Sequence, residues 1–542
     1  MSKKRVFLRR GGIRILPMFV GAGFVWVGIF GLWWFQSRHV PSNYSGMWHG
    51  IDVLLFGLLT LVVWYQMVSE MLTWEVALFM KKPKHTAPPG GLKVALCTTF
   101  VPGKEPYDLL ETTLKKMAAV AYPHDTWLLD EGDDPCAKKL CKRYGVLHYT
   151  RWGKSEYNTE DGAYKKKTKA GNYNAWFTVH GAAYDIVAQH DVDFMPRQMY
   201  LHRILGYFKD PDIAFVGTPQ LYGNEEDSWI AKGAAEQAYG FYGPTQKGLF
   251  GHDMQLFIGA NHAIRVAAHN DITGYSGHIV EDHLTGMRIY ANRWKSVYVP
   301  EALLIGEGPA TWDAYFSQQM RWAFGLMDIL FRHSPKLIPR MRAHHGLHYF
   351  LLQHYYFYGM VQAIGLLLLS LYFFFGMQST SMEGYTWLLF YSVFLILQIV
   401  IFLWLQRYYI RPQHESGFHL RGKLLNVAVW LVYMVAFFGA LVGKKLPYRV
   451  TPKGSAQAMD TPPALSLFIP HLLLGPISFV GSMVGYVKGN AAPQLMFWAM
   501  LNTVCMYGFV LLAAYTTVKH TIQKRNKKHL TETVLHYKEE AP

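Results

Sequence analysis

Tyr184-Asp185-Ile186-Val187-Ala188-Gln189-His190-Asp191-Val192-Asp193 is an apolar run that closes on two carboxylates. Its first five residues read as a buried strand. Similar short apolar runs lie before it, at residues 92–98, 127–129 and 146–149, and after it, at 213–216, 255–258 and 296–299. Helical patterns separate them. Pro106 opens one in which Leu109, Leu110, Leu114, Met117 and Ala118 recur at helical spacing. Alternating strands and helices predict an α/β domain with a mostly parallel sheet covered on both faces. In open sheets of this kind ligands sit beyond the carboxyl ends of the strands. The polar residues that follow each strand are therefore the informative ones.

Composition sets this domain in a membrane context. The chain has 542 residues, of which 51% are hydrophobic, 15% aromatic and only 17% charged, against about 25% charged in soluble proteins. This excludes a disordered chain. A mean hydropathy of +0.06 is too low for a wholly membrane-buried protein, so a polar domain must dilute apolar spans. The net charge of +16 is concentrated beside those spans, which reads as the cytoplasmic Lys/Arg bias of a membrane protein rather than as nucleic-acid binding. Four cysteines are too few for a disulfide scaffold.

A helix needs about 20 mostly apolar residues to cross the bilayer. Residues 15–35, 53–65 (with a helical pattern running on toward Phe79), 349–376, 385–405, 465–487 and 495–518 qualify. Lys3, Lys4, Arg5, Arg9 and Arg10 put the N-terminus in the cytoplasm, and Lys519, Lys524, Arg525, Lys527 and Lys528 do the same for the C-terminus. The polar stretch between the second and third spans is then cytoplasmic too. Residues 424–442 are also apolar enough to cross. Arg421 and Lys423 on one side and Lys444, Lys445 and Arg449 on the other argue for an interfacial helix instead. Six crossings result; a seventh is what hydropathy alone favours.

In the cytoplasmic stretch, Asp130-Glu131-Gly132-Asp133-Asp134 and Asp191-Val192-Asp193 follow strands. Loops after strands often carry such residues as solvated turns. The alternative is that Asp191 and Asp193 share a hard divalent cation bound to phosphate oxygens, which relieves their repulsion. Lys169, in Lys169-Ala170-Gly171-Asn172-Tyr173-Asn174, can reach the same phosphates or simply open a helix in water. Glu281-Asp282 opens a helical stretch, where acidic residues complement the helix dipole or where one carboxylate acts as a general base. Gln318, Arg321 and Trp322 stand at i, i+3 and i+4, so they share a helix face. An amide, a guanidinium and an indole suit a diphosphate and a sugar ring.

As an ordered set these segments, over residues 92–454, resemble processive family 2 membrane glycosyltransferases, particularly cellulose synthases and related bacterial β-glucan synthases. The resemblance extends to Val216-Gly217-Thr218-Pro219-Gln220, to Phe257-Ile258-Gly259-Ala260-Asn261 beside the acceptor sugar, and to Val280-Glu281-Asp282. Tyr448-Arg449-Val450-Thr451-Pro452-Lys453-Gly454 resembles the gating loop of cellulose synthases, with Tyr in place of Phe. The resemblance implies a GT-A-type cytosolic domain inserted between transmembrane helices, with Asp282 as catalytic base. It assigns Thr99, Glu105, Asp130, Lys169, Asp191 and Arg321 to the nucleotide sugar, and Gln318, Trp322 and Glu281 to the acceptor. Asp191 and Asp193 would bind Mg²⁺ or Mn²⁺, and Tyr448, Val450, Thr451 and Lys453 would form the gating loop.

The implied organisation is an N-terminal membrane hairpin (1–80), a catalytic domain (81–310), interfacial helices (311–346), a membrane pair (347–407), an interfacial helix with the gating loop (408–463), a second membrane pair (464–518) and a basic tail (519–542). The expected location is the plasma or bacterial inner membrane. The expected reaction is inverting transfer from UDP-glucose to a growing β-glucan, coupled to export, with accessory subunits as optional partners. The alternatives are a GlcNAc- or mannose-containing polymer, or non-processive transfer to a lipid carrier. A transporter with a regulatory domain would show repeated spans, and none is visible.

Overall fold

The computed structural model describes residues 15–444 and 465–539. Tyr448, Val450, Thr451 and Lys453 of the expected gating loop lie outside the described residues. Two apolar helices come first, α1 (Ile15–Trp34) and α2 (His49–Leu78). The α/β region follows: β1 (Val94–Phe100), α3 (Tyr107–Ala118), β2 (Asp125–Asp130), α4 (Pro135–Tyr144), β3 (Leu147–Tyr149), α5 (Lys169–His180), β4 (Ile186–His190), β5 (Met195–Pro196), β6 (Ile213–Gly217), β7 (Leu221–Tyr222), α6 (Trp229–Gly240), β8 (Asn261–Arg265), α7 (Glu281–Ala291), β9 (Lys295–Tyr298), β10 (Leu304–Gly306) and α8 (Trp312–Arg332). Then come α9 (Ala343–Gln353), α10 (Tyr358–Phe375), α11 (Gly384–Leu405), α12 (Leu420–Leu441), α13 (Ile469–Val487) and α14 (Pro493–Glu539).

The main sheet has the order β3-β2-β1-β4-β8-β6-β9. Pairing is parallel except at β8, which runs antiparallel to both β4 and β6. β5, β10 and β7 form a small second sheet. Strand interiors such as Ala95, Leu96, Leu128, Val187, Ala188 and Phe215 are fully buried, each large side chain contributing about 1.5–3 kcal/mol. Local chemistry starts the helices. Asp134 caps α4 by accepting from Ala137 N–H at 2.8 Å, and Thr168 caps α5 by accepting from Gly171 N–H at 3.1 Å.

One strand differs from the sequence expectation. Residues 255–258 are buried but do not pair in the sheet; the strand is Asn261–Arg265. The apolar run is buried because it packs behind the sheet, where the Gln255 side chain donates to Val297 O at 2.7 Å. The true strand is hidden by its buried Asn261 and His262; the Asn261 amide nitrogen donates to Thr218 Oγ1 and Pro219 O, and the His262 ring bonds to Ile258 O and the Tyr275 hydroxyl.

Among the described residues seven helices are long and apolar enough to cross a membrane, Leu420–Leu441 included. That helix, α12, is also the most buried of them, at 44% of its apolar window. Its first turns sit on α6: Glu236 accepts from Gly422 N–H at 2.8 Å, and Gln237 donates to Gly422 O at 2.8 Å and Asn426 Oδ1 at 2.9 Å. Its later turns sit on α8, where Tyr433 donates to Gln319 at 2.7 Å and Phe437 meets Phe331.

Candidate active site

The sheet order brings the carboxyl ends of β1 and β4 together, and the loop before β8 closes against them. A cleft of about 750 Å³ opens there. Asp191 N–H donates to Ala260 O at 2.9 Å, which ties the end of β4 to the segment before β8. Thr113 of α3 holds the buried Val192 by its carbonyl. With Val192 pinned inward, Asp191 and Asp193 both turn to the cleft.

Lys169, the first residue of α5, forms an ion pair with Asp191 and donates to Gly259 O at 2.6 Å. Its position is set from behind. Gly171 lies so close to Lys165 O that a Cβ would come within 2.2 Å, so only glycine allows the turn to pack. Asn174 clamps the same turn, donating to Ala163 O at 2.7 Å and Tyr275 O at 2.9 Å.

Asp282, in the first turn of α7, accepts from Gly259 N–H at 3.1 Å and His283 N–H at 2.8 Å. Burial raises its pKa, against the backbone hydrogen bonds and the charges of Lys169 and Arg321. Burial first, and the Asp282 charge second, push the neighbouring Glu281 up to about 7. Gln318, Arg321 and Trp322 of α8 face the same cleft, while Gln319 turns away into the core. The shared helix face expected from their spacing is the one presented.

The structure thus gathers Thr99, Glu105, Lys169, Asp191, Asp193, Glu281, Asp282, Gln318, Arg321 and Trp322 around one space. Asp130 lies behind that wall and is fully buried. Its oxygens accept from Gly132 N–H at 2.9 Å and Asp134 N–H at 2.5 Å and contact His148 Nε2 at 3.1 Å. Asp130 therefore shapes the loop that follows β2.

Residues 186–405 match the family model described as Glycosyl transferase family group 2. Over these residues the chain is similar to family 2 glycosyltransferases. Its fold is GT-A-like, set beside membrane-type helices. The chain is 33% identical over 167 residues to a UDP-forming cellulose synthase catalytic protein of Dictyostelium discoideum, covering 30% of this chain and 16% of that protein. It is 24% identical over 367 residues to the UDP-forming cellulose synthase catalytic subunit of Xanthomonas axonopodis pv. citri (strain 306), covering 66% of this chain and 48% of that protein. It is 23% identical over 247 residues to a probable glucomannan 4-beta-mannosyltransferase of Arabidopsis thaliana, covering 43% of this chain and 45% of that protein. The chain spans about half or less of the length of these relatives. Among solved structures it is similar to the mannosyltransferase PcManGT from Pyrobaculum calidifontis in complex with GDP-Man and Mn²⁺, with TM-score 0.47, 14% identity, and 72% of this chain and all of that one covered.

The cleft and its surroundings also contain residues to which the sequence assigned no individual role. Glu131 forms a two-pronged pair with Arg151, at 3.0 and 2.5 Å. The Arg151 side chain is only 1% exposed, and it also donates to the carbonyls of Tyr157, Tyr164, Lys165 and Thr168. It therefore shapes the loop that presents Lys167 and Lys169 to the cleft. Glu131 belongs to the acidic run after β2, but its partner is 20 positions away with no local signal. Gln220 and Glu307 line the cleft as well, and Tyr242 steadies Gln220 with a hydrogen bond of 2.9 Å. Gly259, whose motif gave no sign of a particular role for it, is the residue that Lys169 and Asp282 both hold.

Proposed function

We propose that this glycosyltransferase moves glucosyl units from UDP-glucose to the growing end of a β-glucan, with a single inversion, and passes the polymer through its membrane helices. The observation that carries this reading is the convergence of Asp191, Asp193, Lys169, Asp282 and Arg321 on one cleft. The UDP-forming cellulose synthases among its relatives supply the donor and product class.

In this reading the nucleotide lies at the end marked by Thr99 and Glu105, with Asp130 bracing the loop behind. Asp191 and Asp193 would hold a divalent cation, Mg²⁺ or Mn²⁺. Two carboxylates suit a hard cation, and the Lys169 ammonium already seated on Asp191 marks this wall as one that accepts positive charge. Such an ion, when bound, offsets charge on the departing diphosphate. Lys169 and Arg321 add fixed positive groups on the same side. Trp322 offers a ring face to a pyranose, and Gln318 and Glu281 offer hydrogen bonds to the acceptor. Asp282 takes the proton from the attacking hydroxyl. Two of its carboxylate's acceptor positions are filled by backbone N–H groups, which fix its aim and leave capacity for the substrate. Its burial makes it a stronger base than an exposed carboxylate.

The proposed topology keeps the catalytic domain and both termini in the cytoplasm of a plasma or bacterial inner membrane, with α12 in the interface. Support comes from the hydrogen bonds that fasten α12 to α6 and α8. Tyr356 and Tyr433 pack at 5.0 Å next to this junction, where a polymer leaving the cleft would enter the membrane helices. The glucomannan mannosyltransferase relative supports a second reading, a mannose-containing polymer made by the same chemistry. Purified enzyme given a panel of radiolabelled nucleotide sugars, followed by linkage-specific glycanase digestion, separates the two. In Asp282→Asn, polymer synthesis is lost while nucleotide-sugar binding persists. Near-normal turnover by that variant removes Asp282 from the role of base.

A further inference from the structure

Glu75, His252 and His348 meet where three parts of the chain join: the last turn of α2, the turn that follows the helix Gln246–Gly251, and α9. His252 Nε2 lies 3.0 Å from Glu75 Oε1, and His348 Nε2 lies 3.5 Å from Glu75 Oε2. The two imidazoles approach with ring centroids 4.4 Å apart. All three ligand atoms lie within 4.8 Å of one another. A tetrahedral zinc ion with ligand bonds of about 2.0–2.1 Å spaces its donors about 3.3 Å apart. Each imidazole nitrogen lies near that spacing from one of the two Glu75 oxygens, His252 from Oε1 and His348 from Oε2.

The protons say more than the distances. The His348 side chain is only 6% exposed, and its Nδ1 faces His344 O at 2.6 Å. A ring nitrogen facing a carbonyl carries the hydrogen, so the lone pair of the neutral ring is on Nε2 and points at the Glu75 carboxylate. With the ring neutral two acceptors face each other, an arrangement that a metal cation between them relieves. The carbonyl behind Nδ1 is the usual outer partner that fixes a metal-ligating histidine. His252 Nε2 is within 3.0 Å of Glu75 yet lacks hydrogen-bond alignment to it. A second cluster, His278, Asp328 and His333, shows the contrast. There Val280 N–H donates to His278 Nδ1 at 3.1 Å, so Nε2 carries the proton and donates to Asp328 at 3.1 Å. Arg332 occupies the other Asp328 oxygen at 2.5 Å. That cluster is satisfied without an ion.

We propose that Glu75, His252 and His348 form a zinc site, separate from the all-carboxylate pair Asp191 and Asp193. Two imidazoles and a carboxylate favour zinc over magnesium, and the partial exposure of Glu75, 35%, leaves a fourth position for water. The ion staples α2 to the catalytic domain and to α9. From α9, Tyr349 packs on His283 at 5.0 Å between ring centroids, next to Asp282, so the staple stiffens the support of α7.

The test is a titration of the full-length, metal-stripped protein with Co²⁺. One equivalent gives the intense visible bands of four- or five-coordinate cobalt, displaced by stoichiometric Zn²⁺ and retained in excess Mg²⁺. Zn²⁺ also raises the thermal unfolding midpoint. In His252→Ala and His348→Gln, zinc binding falls by more than about 100-fold, beyond the 10–100-fold typical of outer-shell changes. Weak octahedral bands alone, displacement by Mg²⁺, or unchanged bands in both variants overturn the site. If the variants fail to fold, the displacement pattern of the wild-type chain still decides. None of these readouts requires sugar transfer, so failure of the zinc site and failure of the proposed reaction are distinguishable.

Discussion

Lys169 and Asp282 hold the same residue from opposite sides. Lys169 Nζ donates to Gly259 O at 2.6 Å, and Gly259 N–H donates to Asp282 Oδ2 at 3.1 Å. The group proposed to face the diphosphate and the proposed base are thereby spaced by one residue's backbone. A Cβ at Gly259 would stand 2.8 Å from Asp282 Oδ2, so Gly259→Ala moves the carboxylate. Misplacement of a reacting group by about 1 Å can cost about 100-fold in rate. We expect kcat/KM to drop by roughly 10–100-fold with little change in thermal midpoint. An unchanged rate would mean that Asp282 does not depend on this contact.

Acid pH should slow the enzyme through the Glu281–Asp282 pair. Glu281 is pushed up to about 7 and Asp282 is raised as well, so the pair takes up a proton as pH falls through 7 and its basic form is depleted. Glu281→Gln removes the negative neighbour, and the acid limb of the kcat/KM profile then moves to lower pH. The stability contribution has a defined sign. The folded pair binds protons more tightly than the unfolded chain, so its contribution is most favourable in acid and declines as pH rises from the ordinary glutamate value of 4.5 to about 7. Urea unfolding across that window measures it.

Removal of divalent metal should stop transfer. EDTA treatment followed by Mg²⁺ or Mn²⁺ restores the wild type but not Asp193→Asn. The lost electrostatic stabilisation is several kcal/mol, at least about 100-fold in rate. Full activity in EDTA would refute a cation role for Asp191 and Asp193.

Arg151 should matter to folding more than to chemistry. It is buried, paired with Glu131 and bonded to four carbonyls. Arg151→Met leaves Glu131 and those carbonyls uncompensated, and breaking such a pair typically costs about 3–5 kcal/mol. Reversible unfolding of the detergent-solubilised chain, with a lower midpoint for the variant, checks this.

Reporter fusions at Gln413 and His520 test the membrane plan. Both should read cytoplasmic, because α12 adds no crossing when it lies in the interface. A cytoplasmic signal at Gln413 with an external one at His520 would make α12 a true span, and both the six-crossing plan and the cytoplasmic gating loop would fail.

The elements that the sequence announced are those whose signal is local. β4 with its closing Asp191 and Asp193, the opening of α7 at Glu281, and the α8 face of Gln318, Arg321 and Trp322 follow from periodicity and from residue types a few positions apart. The apolar spans follow from length and composition in the same way. Other features depend on neighbours that chain order does not reveal. β8 can bury two polar side chains because Thr218 and Pro219 accept from the Asn261 amide nitrogen and Ile258 and Tyr275 bond to the His262 ring. Arg151 gains its role from carbonyls in a folded loop, Gly259 from two side chains 90 and 23 positions away, and the Glu75, His252 and His348 cluster from three separate elements. A repeating pattern states which face of an element is apolar. It carries no record of which distant polar group will be desolvated beside which other, and that pairing is settled only when β1, β4 and β8 lie side by side and the membrane helices close against them.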